Sequence, residues 1–449
     1  MKLIPLLSIC TGFFMVIIDA TIVNVALPTI GIALNASVSW LQWILAGYTL
    51  MFASLLLLAG YMSDLFGAKK LFQSGVIVFT LASFLCGLSN SAWMLTLFRL
   101  LQGAAAAFMV PTSLALINAS FPNDEMRARA IGIWAAIGGV AVAIGPILGA
   151  ILTSLFNWHA IFFINIPFGL ACFIVTAIFV INPTSNPPKT KFDSMGQLFG
   201  IIAVASLAFA FIEAGRLGWT SVIVISAFVL FVISTVGFIV TELLVKTPML
   251  PLGFFKYRNF SISTVVAMTI NVGFYGELFL FPLYFHHIRH YSVLTTGFAL
   301  LPLVIMNAIC AYFAGKLVGV IGTKKPMLYG LLCGGVGFLA LLVVIKYTLP
   351  YSWFILPFAI IGSGLSFTMP AATIAIIRSV SHHQAGMASG VFNTSRQIGS
   401  LIGVAVFGTI IAVSSTFISG MELTLIIAVG VLLLASLLTM LMSEQRGEI

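Results

Sequence analysis

Gly60-Tyr-Met-Ser-Asp-Leu-Phe-Gly-Ala-Lys-Lys70 has a twin further along the chain, Gly315-Lys-Leu-Val-Gly-Val-Ile-Gly-Thr-Lys-Lys325. The frame Gly-x6-Gly-x-Lys-Lys recurs 255 residues apart, and each copy follows an apolar run. A second pair, Ala130-Ile-Gly132 and Ala388-Ser-Gly390, recurs at a separation of 258. A chain that repeats itself at this distance is expected to fold as two related halves.

What separates the repeats is almost entirely apolar. Of 449 residues, 61% are hydrophobic and 7% charged, with a mean hydropathy of +1.18. A soluble domain could not hide that much apolar surface, so the composition predicts an all-α polytopic membrane protein. Apolar runs of about 20 residues are expected at 4–27, 40–62, 71–90, 93–117, 131–155, 160–181, 198–213, 221–244, 261–285, 296–321, 327–346, 351–376, 387–413 and 420–442. Two six-helix bundles with two extra spans between them account for both repeat offsets. The expected units are residues 1–182, a connector with spans seven and eight at 183–259, and 260–449. The Pro-rich stretch Asn182-Pro-Thr-Ser-Asn-Pro-Pro-Lys-Thr-Lys191 marks the first boundary. Paired halves with the working site at their interface recur among secondary transporters.

The net charge of +9 reports topology rather than a nucleic-acid partner. With the N-terminus cytoplasmic, fifteen of the twenty Lys and Arg fall on the cytoplasmic side. Only Arg216, Arg289 and Lys346 fall outside, and Arg99 and Arg396 lie within helices. That is the positive-inside asymmetry of a multi-pass protein of the cytoplasmic membrane with both termini cytoplasmic. Lys2 opens a run long enough to span, without a cleavage site, so no cleaved signal is expected. The five cysteines all sit in apolar spans and form no CxxC, which reads as core residues rather than a disulfide framework or metal site. No phosphate loop of the GxxxxGK[ST] type, catalytic triad or metal-ligand spacing is present. Neither an enzyme nor a cofactor is expected, and a gradient must supply the energy.

Charges inside the membrane are the informative residues. On insertion scales an aspartate at the centre of a membrane helix costs about 2.5–3.5 kcal/mol, so one that is kept there is expected to have a use. Pro28, taken as the outer end of the first span, puts Asp19 about 13 Å from it. Arg99 lies about 9 Å into the fourth span, and Glu277 about 13 Å from His286. All three share one level, and Asp19 and Glu277 occupy the first helix of each half. A structural Asp19–Arg99 ion pair is one reading. The other is a proton site, because desolvation favours the neutral acid while a nearby arginine favours the carboxylate. Protonated, Asp19 releases Arg99; deprotonated, it can pair with Arg99 or with a cationic substrate. Glu277 reads either as a cavity residue or as a carboxylate reaching water from the outer end of its span. Glu213, Glu242 and Glu422 fall near helix ends and read as interfacial. Arg396 is expected to be structural, offsetting Glu277 or capping unwound backbone.

On the fifth span, Gly138, Ala141, Gly145 and Gly149 form a small-residue face beside the breaker Pro146. Ordinary helix packing is one reading; a sliding contact between the halves is the sharper one. Asp64, in the turn with Gly67, Lys69 and Lys70, is expected to latch the cytoplasmic side by accepting from helix N-termini or a loop arginine, the other reading being a solvated loop charge. The run His286-His-Ile-Arg-His290 has no carboxylate or cysteine beside it and does not read as a metal site; His382 and His383 have no stronger claim.

In this order the motifs resemble the major facilitator superfamily, specifically its fourteen-helix drug:proton antiporter branch. Asp19-Ala-Thr-Ile-Val-Asn-Val-Ala-Leu-Pro28 is similar to that branch's first-helix signature. Gly60 to Lys70 resembles the superfamily's loop signature, with Leu65 and Ala68 where basic residues are common. Arg99-Leu-Leu-Gln-Gly103 resembles the fourth-helix motif associated with proton coupling. Gly138 to Gly149 resembles the fifth-helix antiporter motif, with Ala141 and Ala150 in place of glycines. Trp158-His-Ala-Ile-Phe-Phe-Ile-Asn-Ile-Pro167 is similar to the usual segment, with His159 in place of arginine. Phe192-Asp-Ser-Met-Gly196, Pro248-Met-Leu-Pro251 and Gly386-Met-Ala-Ser-Gly-Val-Phe-Asn-Thr-Ser-Arg-Gln397 resemble connector and thirteenth-span signatures.

The resemblance implies alternating access between two bundles and export of amphipathic, often cationic drugs or dyes against protons, by a protein functional as a monomer. Its expected partners are the bilayer, such substrates and protons. Asp19 and Arg99 are the expected proton-coupling pair. Asp19, Glu277, Asn24 and Gln102 are candidate substrate contacts. Asp64, Gly67, Lys69, Lys70, Gly145, Pro146 and Gly149 are candidate gate residues, and Asn165, Arg396 and Gln397 structural polar ones. Export of a single endogenous metabolite, siderophore or lipid is the alternative.

Overall fold

A computed structural model describes residues 3–121, 123–181, 192–381 and 384–443. Lys2, Lys189, Lys191, Arg446, the loop 182–191, and His382 and His383 lie outside the described residues, and so do the expectations placed on them. Among the described residues fourteen helical spans are long and apolar enough to cross a membrane. The first half comprises α1 (Leu3–Ala33), α2 (Val38–Phe66), α3 (Ala68–Gly87), α4 (Ala92–Ser120), α5 (Asp124–Leu155) and a sixth span. That span is broken into α6 (Ala160–Phe163) and α7 (Asn165–Phe179). Two further spans follow, α8 (Ser194–Leu217) and α9 (Val222–Leu244), then a 3-10 turn, Leu252–Lys256. The second half comprises α10 (Arg258–His287), a broken span of α11 (Val293–Ala299) and α12 (Leu301–Ile321), α13 (Lys324–Lys346), α14 (Ser352–Arg378), α15 (Ala385–Val413) and α16 (Phe417–Met440).

Local chemistry explains the breaks. Pro167 and Pro302 sit in the first turn of α7 and α12, where a missing N–H costs nothing to the helix they open but ends the one before. Pro28 behaves differently from the expectation: α1 runs through it to Ala33 instead of stopping there. Asp19 therefore lies at the middle of its helix, deeper than the proline suggested.

The repeated frame has a backbone cause. Gly67 closes α2 at φ 88°, and Gly322 closes α12 at φ 81°. Each donates its N–H back to its helix, to Ser63 O at 2.9 Å and Val318 O at 3.1 Å. Positive φ there suits glycine alone, so the glycine recurs because the turn does.

The halves meet along two seams. On one, Gln42 of α2 donates to the carbonyls of Val404 (3.1 Å) and Ala405 (2.7 Å) on α15. α8 lies over this seam and is tied to both sides. Gln197 donates to Ser54 O (2.6 Å), Trp43 donates to Glu213 (3.0 Å), and Thr409 of α15 donates to Phe211 O (2.6 Å). On the other seam, Gly297 of α11 faces Pro146 and Ala150 of α5 so closely that a Cβ there would lie 2.3 Å from that of Ala150. Toward the opposite ends of α5 and α12, Gly132, Gly139, Gly315 and Gly319 face open space.

Replacing Gly67 or Gly322 by alanine should each destabilise the protein by about 1–3 kcal/mol through backbone strain. Gly60→Ala and Gly315→Ala, in the same frames but with nothing within 4 Å, are the controls. Thermal unfolding of the purified protein should show loss for the first pair and little change for the second; equal effects would contradict the turn explanation.

Candidate functional site

The first half converges on Asp19. The carboxylate is 0% exposed and Arg99 1%. Arg99 reaches it from α4, its Nη1 donating to Asp19 Oδ2. Asp19 Oδ1 accepts from Gln102 Nε2 (2.8 Å) and from Asn165 Nδ2 (3.0 Å). The second layer is equally complete. Arg99 Nη1 also donates to Gln102 Oε1 (2.7 Å) and its Nε to Ile44 O (3.2 Å). Ser83 Oγ accepts from Gln102 (3.1 Å) and Asn165 (2.9 Å) while donating to Phe162 O (3.0 Å). The guanidinium lies 4.2 Å from the ring centroid of Tyr48, whose hydroxyl donates to Val16 O at 3.0 Å.

Sequence positions make this possible. Arg99 and Gln102 are three apart on α4 and so share a face. Gly103, next to Gln102, lets α2 approach until a Cβ would lie 2.1 Å from Tyr48 O. That contact brings the Tyr48 ring over the arginine. The break before α7 puts Asn165 at the first residue of a helix start, with its amide on Asp19.

Asp19 and Arg99 thus come together, as the ion-pair reading expected; Gln102, a candidate substrate contact, and Asn165, a candidate structural polar residue, are both direct hydrogen-bond partners of Asp19. Tyr48 and Ser83 carried no sequence signal, because their roles depend on helices that are remote in the chain. Asn24 turns back on its own helix, donating to Ala20 O (3.2 Å) and Thr21 O (3.1 Å) while 1% exposed.

Glu277 is the opposite case. It does not reach water: it is 1% exposed on α10, and neither carboxyl oxygen has a hydrogen-bond partner among the described residues. No salt bridge links it to Arg396, whose Nε is also buried without a partner, and α15 runs unbroken past that arginine. The expected offset and cap are not made. Arg396 lies instead within electrostatic reach of Tyr275 on α10, which is in turn within reach of Tyr48 on α2. Gln397 is half-buried beside it.

The glycine face of α5 also differs from its sharper reading. Gly138 packs on Phe13, and Gly145 and Gly149 pack on Thr21 and Ile22, so this face clasps α1 within its own half. The contact with the other half comes from Pro146 O and Ala150. Asp64 is exposed and makes no hydrogen bond or ion pair with the described residues, while Lys69 donates to Ala177 O at 2.9 Å. Glu213 and Glu242 sit near helix ends, where the sequence put them, and are buried against neighbouring residues.

Comparison with known proteins agrees with this architecture. The signature of the Major Facilitator Superfamily matches residues 9–404. The chain is 35% identical over 411 residues to Multidrug resistance protein Stp of Mycobacterium tuberculosis, spanning 92% of this chain and 76% of that protein. It is 32% identical over 436 residues to the Methylenomycin A resistance protein of Bacillus subtilis, spanning 97% and 93%. The crystal structure of a point mutant of the nucleoside transporter NupG superposes with a TM-score of 0.70 at 12% identity, covering 97% of this chain and 99% of that one. At that identity the likeness speaks for the fold alone.

Removing one member of a buried ion pair strands the other, typically at about 3–5 kcal/mol. Arg99→Ala should therefore lower unfolding stability strongly, and Arg99→Gln combined with Asp19→Asn should recover much of the loss. Denaturation of the single and double variants measures this; a double variant no better than the single would remove the ion pair as the cause.

Proposed function

This chain belongs to the major facilitator superfamily, and we propose that it is a proton-coupled antiporter exporting amphipathic, often cationic drugs or dyes by alternating access. The observation that carries this reading is the unequal surroundings of two buried carboxyl groups. Asp19 has a cation and two amide donors; Glu277 has none among the described residues. A buried carboxylate without a counter-charge costs several kcal/mol, whereas an unpartnered neutral group costs about 1–3 kcal/mol. The surroundings of Asp19 favour a charged group and those of Glu277 do not, so the two halves offer unequal sites to a proton.

Antiport follows from a change of protonation at the first of these sites. A proton reaching Asp19 dissolves its strongest contact and frees Arg99. Tyr48, stacked on the guanidinium, stands between that event and Tyr275 and Arg396 of the other half. A cationic cargo competes with Arg99 for the same carboxylate, so proton and cargo exclude one another. Each pH unit across the membrane supplies about 1.4 kcal/mol per proton. Relatives named for resistance to several drugs, or to methylenomycin A, support small-molecule export. The bundles divide near residues 182 and 260, both termini face the cytoplasm, and the working unit is the monomer in the cytoplasmic membrane.

Purified protein in sealed vesicles tests this. Under an imposed pH gradient, dye movement and internal pH should change together. Asp19→Asn, compared per amount of folded protein recovered, should abolish that counterflow, and Glu277→Gln should reduce it. Arg99→Ala should impair coupling more than substrate binding. Dye movement indifferent to pH would replace antiport by facilitated diffusion. Transport of one metabolite without dyes would make the protein a dedicated exporter.

A further inference from the structure

Two arginines lie deep within the spans, and they are partnered differently. Arg99 has Asp19. The Arg396 side chain makes no ion pair or hydrogen bond among the described residues, and its Nε is buried without a partner. The titratable group that acts on it is the Tyr275 hydroxyl of α10, not a carboxyl. Backbone approach explains the juxtaposition. Gly399 and Gly403 let α15 close on α10 until a Cβ would lie 2.2 Å from Met268 O and 2.3 Å from Val272 O. Arg396 lies about one turn before this contact on α15, and Tyr275 about one turn beyond it on α10. Both side chains stay partly accessible although protein surrounds them, so they border an internal space rather than lipid. Gln397 is half-buried beside them, and its amide has no hydrogen-bond partner among the described residues. The Phe392 ring lies 5.9 Å from Arg396 Cζ.

A guanidinium presents its N–H donors in a planar fork that matches a carboxylate, and a phenol and an amide add single donors. Charged groups at such depth are almost always paired or mark a substrate path. Depth narrows the source of the missing charge. Arg396 is eleven residues into α15, about 16 Å from its start, at the middle of a hydrocarbon core about 30 Å thick. Lipid headgroups do not lie at that level, whereas an amphipathic molecule in transit does. The acids outside the described residues, Glu444 and Glu448, follow Ser443, whose N–H donates to Asn259 at 3.0 Å. Asn259 is sixteen residues, about 24 Å, along α10 from Tyr275.

We propose that Arg396, with the Tyr275 hydroxyl and the Gln397 amide, binds the carboxylate of an amphipathic organic acid, so that the cargo extends from cations to carboxylates. The word cargo rests on the export reading above; the binding itself does not need proton coupling.

The test is equilibrium binding of naphthaleneacetate and of its neutral primary amide to the purified full-length protein in phosphatidylcholine nanodiscs, without a pH gradient. The wild type should bind the acid at least about tenfold more tightly than the amide. Arg396→Gln should erase that preference and Arg396→Lys should keep part of it, while Tyr275→Phe should reduce it about threefold or more. Because the guanidinium holds no other element, Arg396→Gln should leave the unfolding temperature unchanged or raised, and the acid should raise that temperature in the wild type alone. Equal binding of acid and amide by the wild type, or a preference that survives Arg396→Gln, would overturn the proposal. A lower unfolding temperature in Arg396→Gln, restored by Arg396→Lys without ligand, would make the arginine structural instead. Tighter acid binding after Glu444→Gln with Glu448→Gln would assign it to the tail, and loss of acid binding in phosphatidylglycerol nanodiscs would assign it to lipid. Counterflow kept or lost in Asp19→Asn bears on the transport reading and leaves this result untouched.

Discussion

A charged pair in the middle of a membrane protein survives only if every other group around it cooperates. Asp19 and Arg99 set that condition for the first half. Their ionised forms require donors and acceptors from α3, α4 and α7 and an aromatic face from α2, so five helices including α1 are fixed relative to one another by a single contact. The glycines of α4 and α5 serve the same end. Gly103 draws α2 onto α4, and Gly145 and Gly149 draw α5 onto α1. The sequence keeps small residues where the charged centre needs its neighbours close.

The internal repeat makes the asymmetry of the halves informative. Both use the same glycine turn between helices, at Gly67 and Gly322. They differ in electrostatics. Displaced by 255 or 258 residues, Arg99 falls on Phe354 or Pro357, so neither offset puts a cation at its counterpart in the second half. The second half thus has an acid on its first helix without the arginine that accompanies the first. A duplicated scaffold with unequal charges gives its two acids different surroundings.

Much of this was legible in the chain. Fourteen apolar runs appeared as fourteen spans, because bilayer thickness leaves little freedom in helix length. The pairing of Asp19 with Arg99 was legible because an intramembrane charge demands a partner and few were available. What could not be read were contacts made by ordinary polar residues from distant helices, such as Ser83 and Tyr48, whose types carry no signal. Pro28 misled because a proline within a packed helix can be accommodated by its neighbours. Glycine spacing on α5 announced a close approach but not to which helix. The solitude of Glu277 was invisible for a related reason: sequence shows which groups exist, not which fail to meet.

The position of α8 over the α2–α15 seam has a mechanical consequence. Hydrogen bonds from Gln197 to one half and from Thr409 of the other half onto Phe211 tie both walls of that edge to one post. The other edge is closed by close packing of Gly297 on Pro146 and Ala150. Hydrogen bonds across one edge and packing across the other make the first the stiffer of the two.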